Sequence, residues 1–202
     1  MLEVNAPAKP EAAIVAALGR RSIVLVGMMG AGKSSVGRRL AARLGLTFVD
    51  ADTEIEAAAG MSIADIFAAH GEAYFRSGEA RVIARLLEGG PQVMATGGGA
   101  IMNEGTRAAV RDKGVSIWLD AEYEVLLRRV KRRADRPMLK TADPAETLRR
   151  LLAERRPVYA QADLTLRSRD APHDTIVNEA IAALTTHFGI ATQSAVRGQV
   201  TP

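Results

Sequence analysis

The chain has 202 residues, of which 48% are apolar and 25% are charged, and its formal net charge is +4. This composition excludes a disordered or low-complexity chain, and the length suits one domain with tails. The absence of cysteine excludes disulfides and thiolate metal sites. The first residues lack the long apolar run of a secretory signal or a membrane span, so we expect a cytoplasmic protein with no membrane partner.

Short apolar segments alternate with helical patterns along the chain. Strands are predicted at residues 22–27, 47–50, 92–96, 115–120 and 162–167. Helices are predicted at residues 34–44, 62–70, 72–87, 103–113, 121–133, 145–155 and about 174–188. Because each strand segment is nearly continuously apolar, both of its faces should be covered. The alternation predicts an α/β fold with a parallel sheet, helices on both faces, and ligands at the carboxyl ends of the strands.

The two ends of the chain fall outside this alternation. We expect residues 1–20 to be a loosely ordered extension or to hold one short helix, and residues 189–202 to be a flexible tail. Residues 21–188 then form a single domain. Within it, a basic helix runs into a break at Pro137. Such a segment suits a mobile lid over about residues 129–142.

The first strand is followed by GMMGAGKSS, which begins at Gly27 and opens the first helix. This is the complete P-loop pattern in the strand-to-helix context that it requires. Its glycines allow successive backbone N–H groups to point at one anion, and the helix N-terminus adds positive potential. Lys33 can reach the β- and γ-phosphates, and the Ser34 hydroxyl can ligate Mg²⁺. The sequence therefore predicts a nucleoside triphosphate site formed by Gly30, Ala31, Gly32, Lys33, Ser34 and Ser35.

Two carboxylates, Asp50 and Asp52, follow the second strand in the segment FVDADTEIE. Side chains two residues apart on an extended segment share a face. One carboxylate could hold Mg²⁺ through water, while the other accepts hydrogen bonds from an acceptor hydroxyl. An N-cap at the following helix would explain Asp52 alone, but it would not explain both residues.

Three consecutive glycines, Gly97, Gly98 and Gly99, close the third strand. Such a run indicates either a flexible turn or the close approach of a ligand. Arg76 and Arg155 are isolated arginines, and each taken alone is typical of a surface helix charge. Together with a glycine-rich turn they would suit a substrate carboxylate, because a guanidinium binds that group through two parallel hydrogen bonds.

The positive charge is concentrated in RRVKRRADR, residues 128–136. A solvated helix face, a nucleic-acid patch and a cluster that handles ligand phosphates are all compatible with such a run. No aromatic residue is interleaved with the basic residues, as a single-strand binder would require. With a P-loop elsewhere in the chain, a lid that supplies Arg136 to the transferring phosphate is favoured, and no nucleic-acid partner is expected.

In this order, the P-loop, FVDADTEIE, YFRSGE, TGGGA, RRVKRRADRPML and ERRPVY resemble the shikimate kinase family over about residues 21–188. The resemblance implies phosphorylation of the 3-hydroxyl of shikimate by ATP with Mg²⁺, a step of chorismate and aromatic amino-acid biosynthesis. It also implies a three-layer P-loop fold of the nucleoside-monophosphate-kinase type, with five parallel strands in the order 2-3-1-4-5. We expect a monomer with this small-molecule substrate.

The same resemblance implies residue roles at the matching positions. The catalytic residues would be Lys33, Asp52 and Arg136. The magnesium site would include Ser34 and Asp50, and Arg129 and Pro172 would lie near the adenine. The substrate would be bound by Asp52, Arg76, Gly97, Gly98, Gly99 and Arg155. The loop that contains Pro172 is shorter than in the family, and residues 1–20 have no counterpart in its compact members.

Three alternatives remain at this stage. A gluconate-type or nucleotide kinase could use the same scaffold, although a nucleotide kinase would need a pocket for a second base. A nucleotide-binding regulator could keep the P-loop without catalysis, but the acidic pair and the lid arginines argue against it. A nucleic-acid-binding module is supported only by the net charge.

Overall fold

The fold is taken from a computed structural model of the chain that describes residues 10–132 and 143–191. Its strands are β1 (Ser22–Val26), β2 (Thr47–Asp50), β3 (Gln92–Ala95), β4 (Gly114–Ala121) and β5 (Leu164–Ser168). They pair in parallel in the order β2-β3-β1-β4-β5, which confirms the expected order 2-3-1-4-5. Because the strands are parallel, their carboxyl ends lie at one edge of the sheet.

The helices of the described residues surround this sheet. They are α1 (Pro10–Leu18), α2 (Lys33–Leu44), α3 (Ala51–Ala59), α4 (Ile63–Glu88), α5 (Glu104–Lys113), α6 (Tyr123–Lys131), α7 (Pro144–Tyr159) and α8 (His173–His187), with a 3₁₀ turn at Ala100–Met102. The break predicted between residues 70 and 72 is present, since Gly71 has φ 78° and ψ 176° inside α4. No helix within residues 10–132 or 143–191 is both long and apolar enough to cross a bilayer.

Three details differ from the sequence-based expectations. Helix α3 was not among the predicted helices. Its N-cap is Asp50 rather than Asp52, because the Asp50 side chain accepts a hydrogen bond from the backbone N–H of Asp52. Helix α7 continues past Pro157 to Tyr159. The strand predicted from residue 162 therefore begins later, since the N–H of Ala162 is still bonded to the Tyr159 carbonyl in the turn after α7.

The short helix allowed for in residues 1–20 forms as α1. Its Ile14 and Leu18 are buried in the main hydrophobic core. Outside that contact, Glu11 accepts a hydrogen bond from Arg43 of α2, with an N–O distance of 2.8 Å. The described part of the extension is therefore packed against the domain.

Helix α2 lies close to the sheet at Gly37. A Cβ at this position would lie 2.5 Å from Cε2 of Phe48, closer than side-chain atoms normally approach, and 3.0 Å from Cδ1 of Leu25, which is a tight contact. We expect Gly37→Ala to lower the free energy of unfolding by about 1–3 kcal/mol, as overpacking does, despite the better helix propensity of alanine. Urea denaturation measures this change.

Gly78 of α4 is the matched control for Gly37. A Cβ there would meet no atom within 4 Å. Gly78→Ala is therefore expected to raise the free energy of unfolding by about 0.5–1 kcal/mol through the lower backbone entropy of the unfolded chain. Equal effects of the two substitutions would show that α2 does not approach the sheet as described.

Candidate active site

The P-loop connects the central strand β1 to α2. Gly27, Gly30 and Gly32 have φ values of 135°, 82° and 94°, a region that favours glycine. A Cβ at Gly27 would also lie 2.8 Å from the carbonyl oxygen of Leu119. Gly32 is the N-cap of α2 and provides no side-chain hydrogen bond to the first turn, whose N–H groups are thus suited to an anion.

Lys33 is folded across the P-loop. Its side chain is buried, with 9% of the residue exposed, and Nζ donates to the carbonyl oxygens of Gly27 at 2.7 Å and Met28 at 3.0 Å. These carbonyls belong to the loop that would surround the phosphates. The ammonium group is therefore held inside the predicted triphosphate site, where a phosphate oxygen can replace a carbonyl as its acceptor.

Ser34 and Asp50 face each other beside this loop. The Ser34 hydroxyl donates to Oδ2 of Asp50 at 2.7 Å, while Oδ1 of Asp50 accepts the backbone N–H of Asp52 at 3.2 Å. Within residues 10–132 and 143–191, no group of three His, Cys, Asp or Glu side chains could hold a metal by itself. Mg²⁺ is usually bound by one or two protein oxygens together with substrate phosphates, so a hydroxyl and a carboxylate fit it.

A cavity opens beside the P-loop. Its lining contains all six predicted substrate residues, together with Met29 of the P-loop, Glu79 and apolar side chains from α4. The lining residues are Met29, Asp52, Ile63, Phe67, Phe75, Arg76, Glu79, Gly97, Gly98, Gly99 and Arg155. Residues from the P-loop, α3, α4, the glycine run and α7 thus converge on one cavity. We refer to it as the substrate pocket.

Two of the three glycines after β3, Gly97 and Gly99, lie very close to charged side chains. A Cβ at Gly97 would lie 2.7 Å from Oε1 of Glu79 and 2.9 Å from Oδ1 of Asp52. A Cβ at Gly99 would lie 2.5 Å from Nη2 of Arg76. Charged side chains therefore lie directly against this backbone, which favours close approach over a merely flexible turn.

Glu79 was not predicted from the sequence. It is 2% exposed, and its Oε2 accepts a hydrogen bond from Nη1 of Arg76 at 2.6 Å. Its Oε1 has no hydrogen-bond partner among the described residues. Burial raises the pKa of Glu79, the Arg76 charge opposes this, and the nearby Asp52 carboxylate adds to it. The spacing of Glu72, Arg76 and Glu79 on one helix face is the sequence signal that could have indicated this residue.

The arginines predicted for the substrate are partly or fully enclosed by the protein. Arg155 is 6% exposed, so the alternative of a surface charge fails for it. Nε and Nη2 of Arg76 also donate to Oε1 of Glu72 at 3.2 and 3.1 Å. Carboxylates on both sides therefore fix the Arg76 guanidinium at the rim of the pocket.

A cavity of about 310 Å³ lies between α3 and α4 and shares Phe75 with the substrate pocket. None of the predicted site residues lines it. The smaller substrate pocket is the better candidate for chemistry, because acidic, basic and backbone groups converge there.

Arg129 connects the P-loop to the loop after β5. Its Nη1 donates to the Gly30 carbonyl at 3.2 Å and to Oγ of Ser168 at 3.0 Å, and its Nη2 donates to the Arg169 carbonyl at 2.9 Å. Pro172 follows in the same loop as the N-cap of α8. The predicted lid arginine, Arg136, lies outside the described residues, as does the lid from residue 133 to residue 142.

The sheet order, the P-loop after the central strand and the adjoining acid-lined pocket define a P-loop phosphotransferase of the nucleoside-monophosphate-kinase type. A family model described as "Shikimate kinase" matches residues 29–185. The chain therefore belongs to the shikimate kinase family, and its cofactors are ATP and Mg²⁺.

Individual relatives agree with this assignment. A shikimate kinase from Bradyrhizobium diazoefficiens is 68% identical over 181 residues, 90% of this chain and 87% of the relative. A shikimate kinase from Rhodopseudomonas palustris is 67% identical over 174 residues, 86% of each chain. The structure of a shikimate kinase from Acinetobacter baumannii in complex with shikimate has a TM-score of 0.80 and 36% identity, covering 83% of this chain and 94% of the other.

Proposed function

We propose that this chain transfers the γ-phosphoryl group of ATP to the 3-hydroxyl of shikimate, which gives shikimate 3-phosphate and ADP, a step of chorismate and aromatic amino-acid biosynthesis. The observation that carries the proposal is the substrate pocket beside the P-loop, which combines the carboxyl groups of Asp52 and Glu79 with two guanidinium groups. Shikimate has neighbouring hydroxyls and a carboxylate, and these groups match that set.

On the substrate side of the site, different residues bind the carboxylate, the ring and the hydroxyls of shikimate. Arg76 and Arg155 bind the shikimate carboxylate, and the backbone of Gly97, Gly98 and Gly99 lines the ring. Asp52 accepts hydrogen bonds from the ring hydroxyls. Glu79 fixes the Arg76 guanidinium through their 2.6 Å hydrogen bond, so the arginine is oriented before the substrate arrives.

The phosphate side uses the P-loop. Lys33 and the amides of residues 30–35 bind the β- and γ-phosphates, and Ser34 and Asp50 hold Mg²⁺. The metal, when bound, neutralises charge on the phosphate oxygens. In the lid, Arg136 reaches the transferring phosphate, while Arg129 and Pro172 lie beside the adenine.

In the reaction the 3-hydroxyl oxygen forms a bond to the γ-phosphorus as the bond to the bridging β-phosphate oxygen breaks. ADP takes the electrons of that bond, and the hydroxyl proton passes to the Asp52 carboxylate. The attacking hydroxyl of the substrate and the leaving group of the nucleotide must be held in line. The contact between the glycine run, which lines the substrate pocket, and the P-loop supports this alignment. A Cβ at Gly98 would lie only 3.3 Å from the backbone nitrogen of Met29.

We also propose that the protein is a cytoplasmic monomer. The lack of cysteine suits a reducing compartment. Size-exclusion chromatography with light scattering tests the oligomeric state.

A substrate panel tests the proposed activity against its nearest alternatives. In a coupled ADP-release assay with shikimate, gluconate, AMP and CMP, we expect turnover with shikimate alone. A nucleotide kinase would need a pocket for a second base, whereas gluconate, which also carries a carboxylate and hydroxyls, is the stricter comparison for this pocket. Turnover with gluconate or a nucleotide, and none with shikimate, would contradict the proposal.

A further inference from the structure

Tyr159 is a buried residue to which neither the motifs nor the proposed mechanism assigns a role. It ends α7 one turn after Arg155, and only 1% of the residue is exposed. Its ring packs on Trp118, with 6.0 Å between the ring centroids and an interplanar angle of 30°. The hydroxyl is thus placed deep in the protein, between α7 and the loops that form the site.

The Tyr159 hydroxyl contacts both loops of the site. It donates a hydrogen bond to the carbonyl oxygen of Gly98, and it lies 3.8 Å from the sulfur of Met28 in the P-loop. Burial raises the pKa of Tyr159 to about 12, against the opposing influence of the Arg155 charge and of a side-chain hydrogen bond with Arg155. At neutral pH the phenol therefore stays protonated. It can donate to Gly98 while its oxygen faces the Arg155 guanidinium.

The bond to Gly98 has a consequence for the next amide. A trans peptide is planar, so its C=O and N–H groups point in opposite directions. Fixing the Gly98 carbonyl towards Tyr159 therefore directs the N–H of Gly99 away from Tyr159. Among the described residues, no backbone carbonyl accepts from the Gly98 N–H or the Gly99 N–H, and both glycines line the substrate pocket.

We propose that Tyr159 is a positioning residue for the substrate. Its hydroxyl fixes the Gly98–Gly99 peptide plane and the Arg155 guanidinium relative to the P-loop, so that amide and guanidinium donors meet the acceptor molecule in one arrangement. The inference rests on the proposed function, since it concerns the pocket to which shikimate is assigned. The inference goes beyond the proposed function because it gives a role to a side chain that does not touch the substrate.

Tyr159→Phe tests the inference, because it removes the hydroxyl but keeps the ring against Trp118. We expect the KM for shikimate to rise about tenfold, which corresponds to about 1.4 kcal/mol. The KM for ATP and kcat should stay within about twofold, since the phosphate-binding groups are unchanged. Shikimate binding measured by calorimetry without ATP should weaken by the same factor.

Tyr123→Phe is the matched control. The Tyr123 phenol also donates to a backbone carbonyl at the start of α7, that of Ala145 at 3.0 Å, but it does not line the substrate pocket. This variant loses an equivalent hydrogen bond and should keep the wild-type KM for shikimate. Melting curves of both variants, with and without shikimate, separate folding from binding.

The possible results distinguish the inference from the function on which it rests. A wild-type protein that phosphorylates shikimate, combined with an unchanged shikimate KM in Tyr159→Phe, would refute the inference and leave the function intact. A lowered melting temperature with an unchanged KM would also refute it, since the hydroxyl would then serve stability alone. An equal rise in both KM values would do the same. A wild-type protein inactive on shikimate would refute the function itself.

Discussion

Replacing Asp52 with asparagine is expected to lower kcat for shikimate phosphorylation by about 10²- to 10⁴-fold, the range typical for loss of a general base. Asparagine has nearly the same shape as aspartate but cannot take the hydroxyl proton at neutral pH. The KM for ATP should stay within about twofold, because Asp52 lines the substrate pocket and not the P-loop. Steady-state kinetics with both substrates varied measures these quantities.

Two further variants make the result specific. Glu56→Gln alters an exposed carboxylate of α3, whose Oε1 accepts the Ile63 N–H at 2.9 Å, and it should leave kcat unchanged. Asp50→Asn alters the Ser34 partner, so its effect should be a higher Mg²⁺ concentration for half-maximal activity. A wild-type rate in Asp52→Asn would remove this residue from the mechanism, and a lost rate in Asp50→Asn at saturating Mg²⁺ would transfer the role of base to Asp50.

The features predictable from the sequence are those specified by neighbouring residues. A P-loop is read from eight consecutive positions, and its glycines have the positive φ values that such a loop requires. Continuously apolar strand segments predicted a parallel sheet covered on both faces, and β1, β3 and β4 are buried almost throughout. The expectation of full burial was wrong for β2 and β5, the two edge strands, which are only partly buried. The order of the strands came instead from the family resemblance, because no local pattern states which strands pair.

The features of the site that could not be predicted from the sequence depend on contacts between residues far apart along the chain. Arg76 taken alone favoured a surface helix charge, and only its position between Glu72, Glu79 and Gly99 places it in a site. The same holds for Glu79, whose burial results from the approach of the glycine run after β3. Helix α3 was not among the predicted helices, although an N-cap by Asp52 at a following helix was considered. In the structure one carboxylate oxygen of Asp50 caps this helix while the other accepts from Ser34.

Replacing Lys33 with methionine is expected to lower kcat/KM for ATP by about 10²- to 10³-fold, the usual loss when one donor to developing charge is removed. Methionine keeps a long unbranched stem in the buried position but has no positive charge. Lys113→Met is the matched control, because it removes an exposed ammonium paired with Glu88 away from the site. That control should keep wild-type kinetics.

Melting curves separate the two functions that Lys33 can serve. The ammonium group bonds the carbonyls of Gly27 and Met28, so it closes the P-loop as well as facing the phosphates. If loop closure were its main function, Lys33→Met would melt at a lower temperature but would still be stabilised by ATP. If binding the phosphates is its main function, Lys33→Met should melt near the wild-type temperature but should not be stabilised by ATP. Removing a buried charge then changes the melting temperature little, whereas the increase that ATP with Mg²⁺ causes in the wild type is lost, because that increase depends on affinity for the folded state.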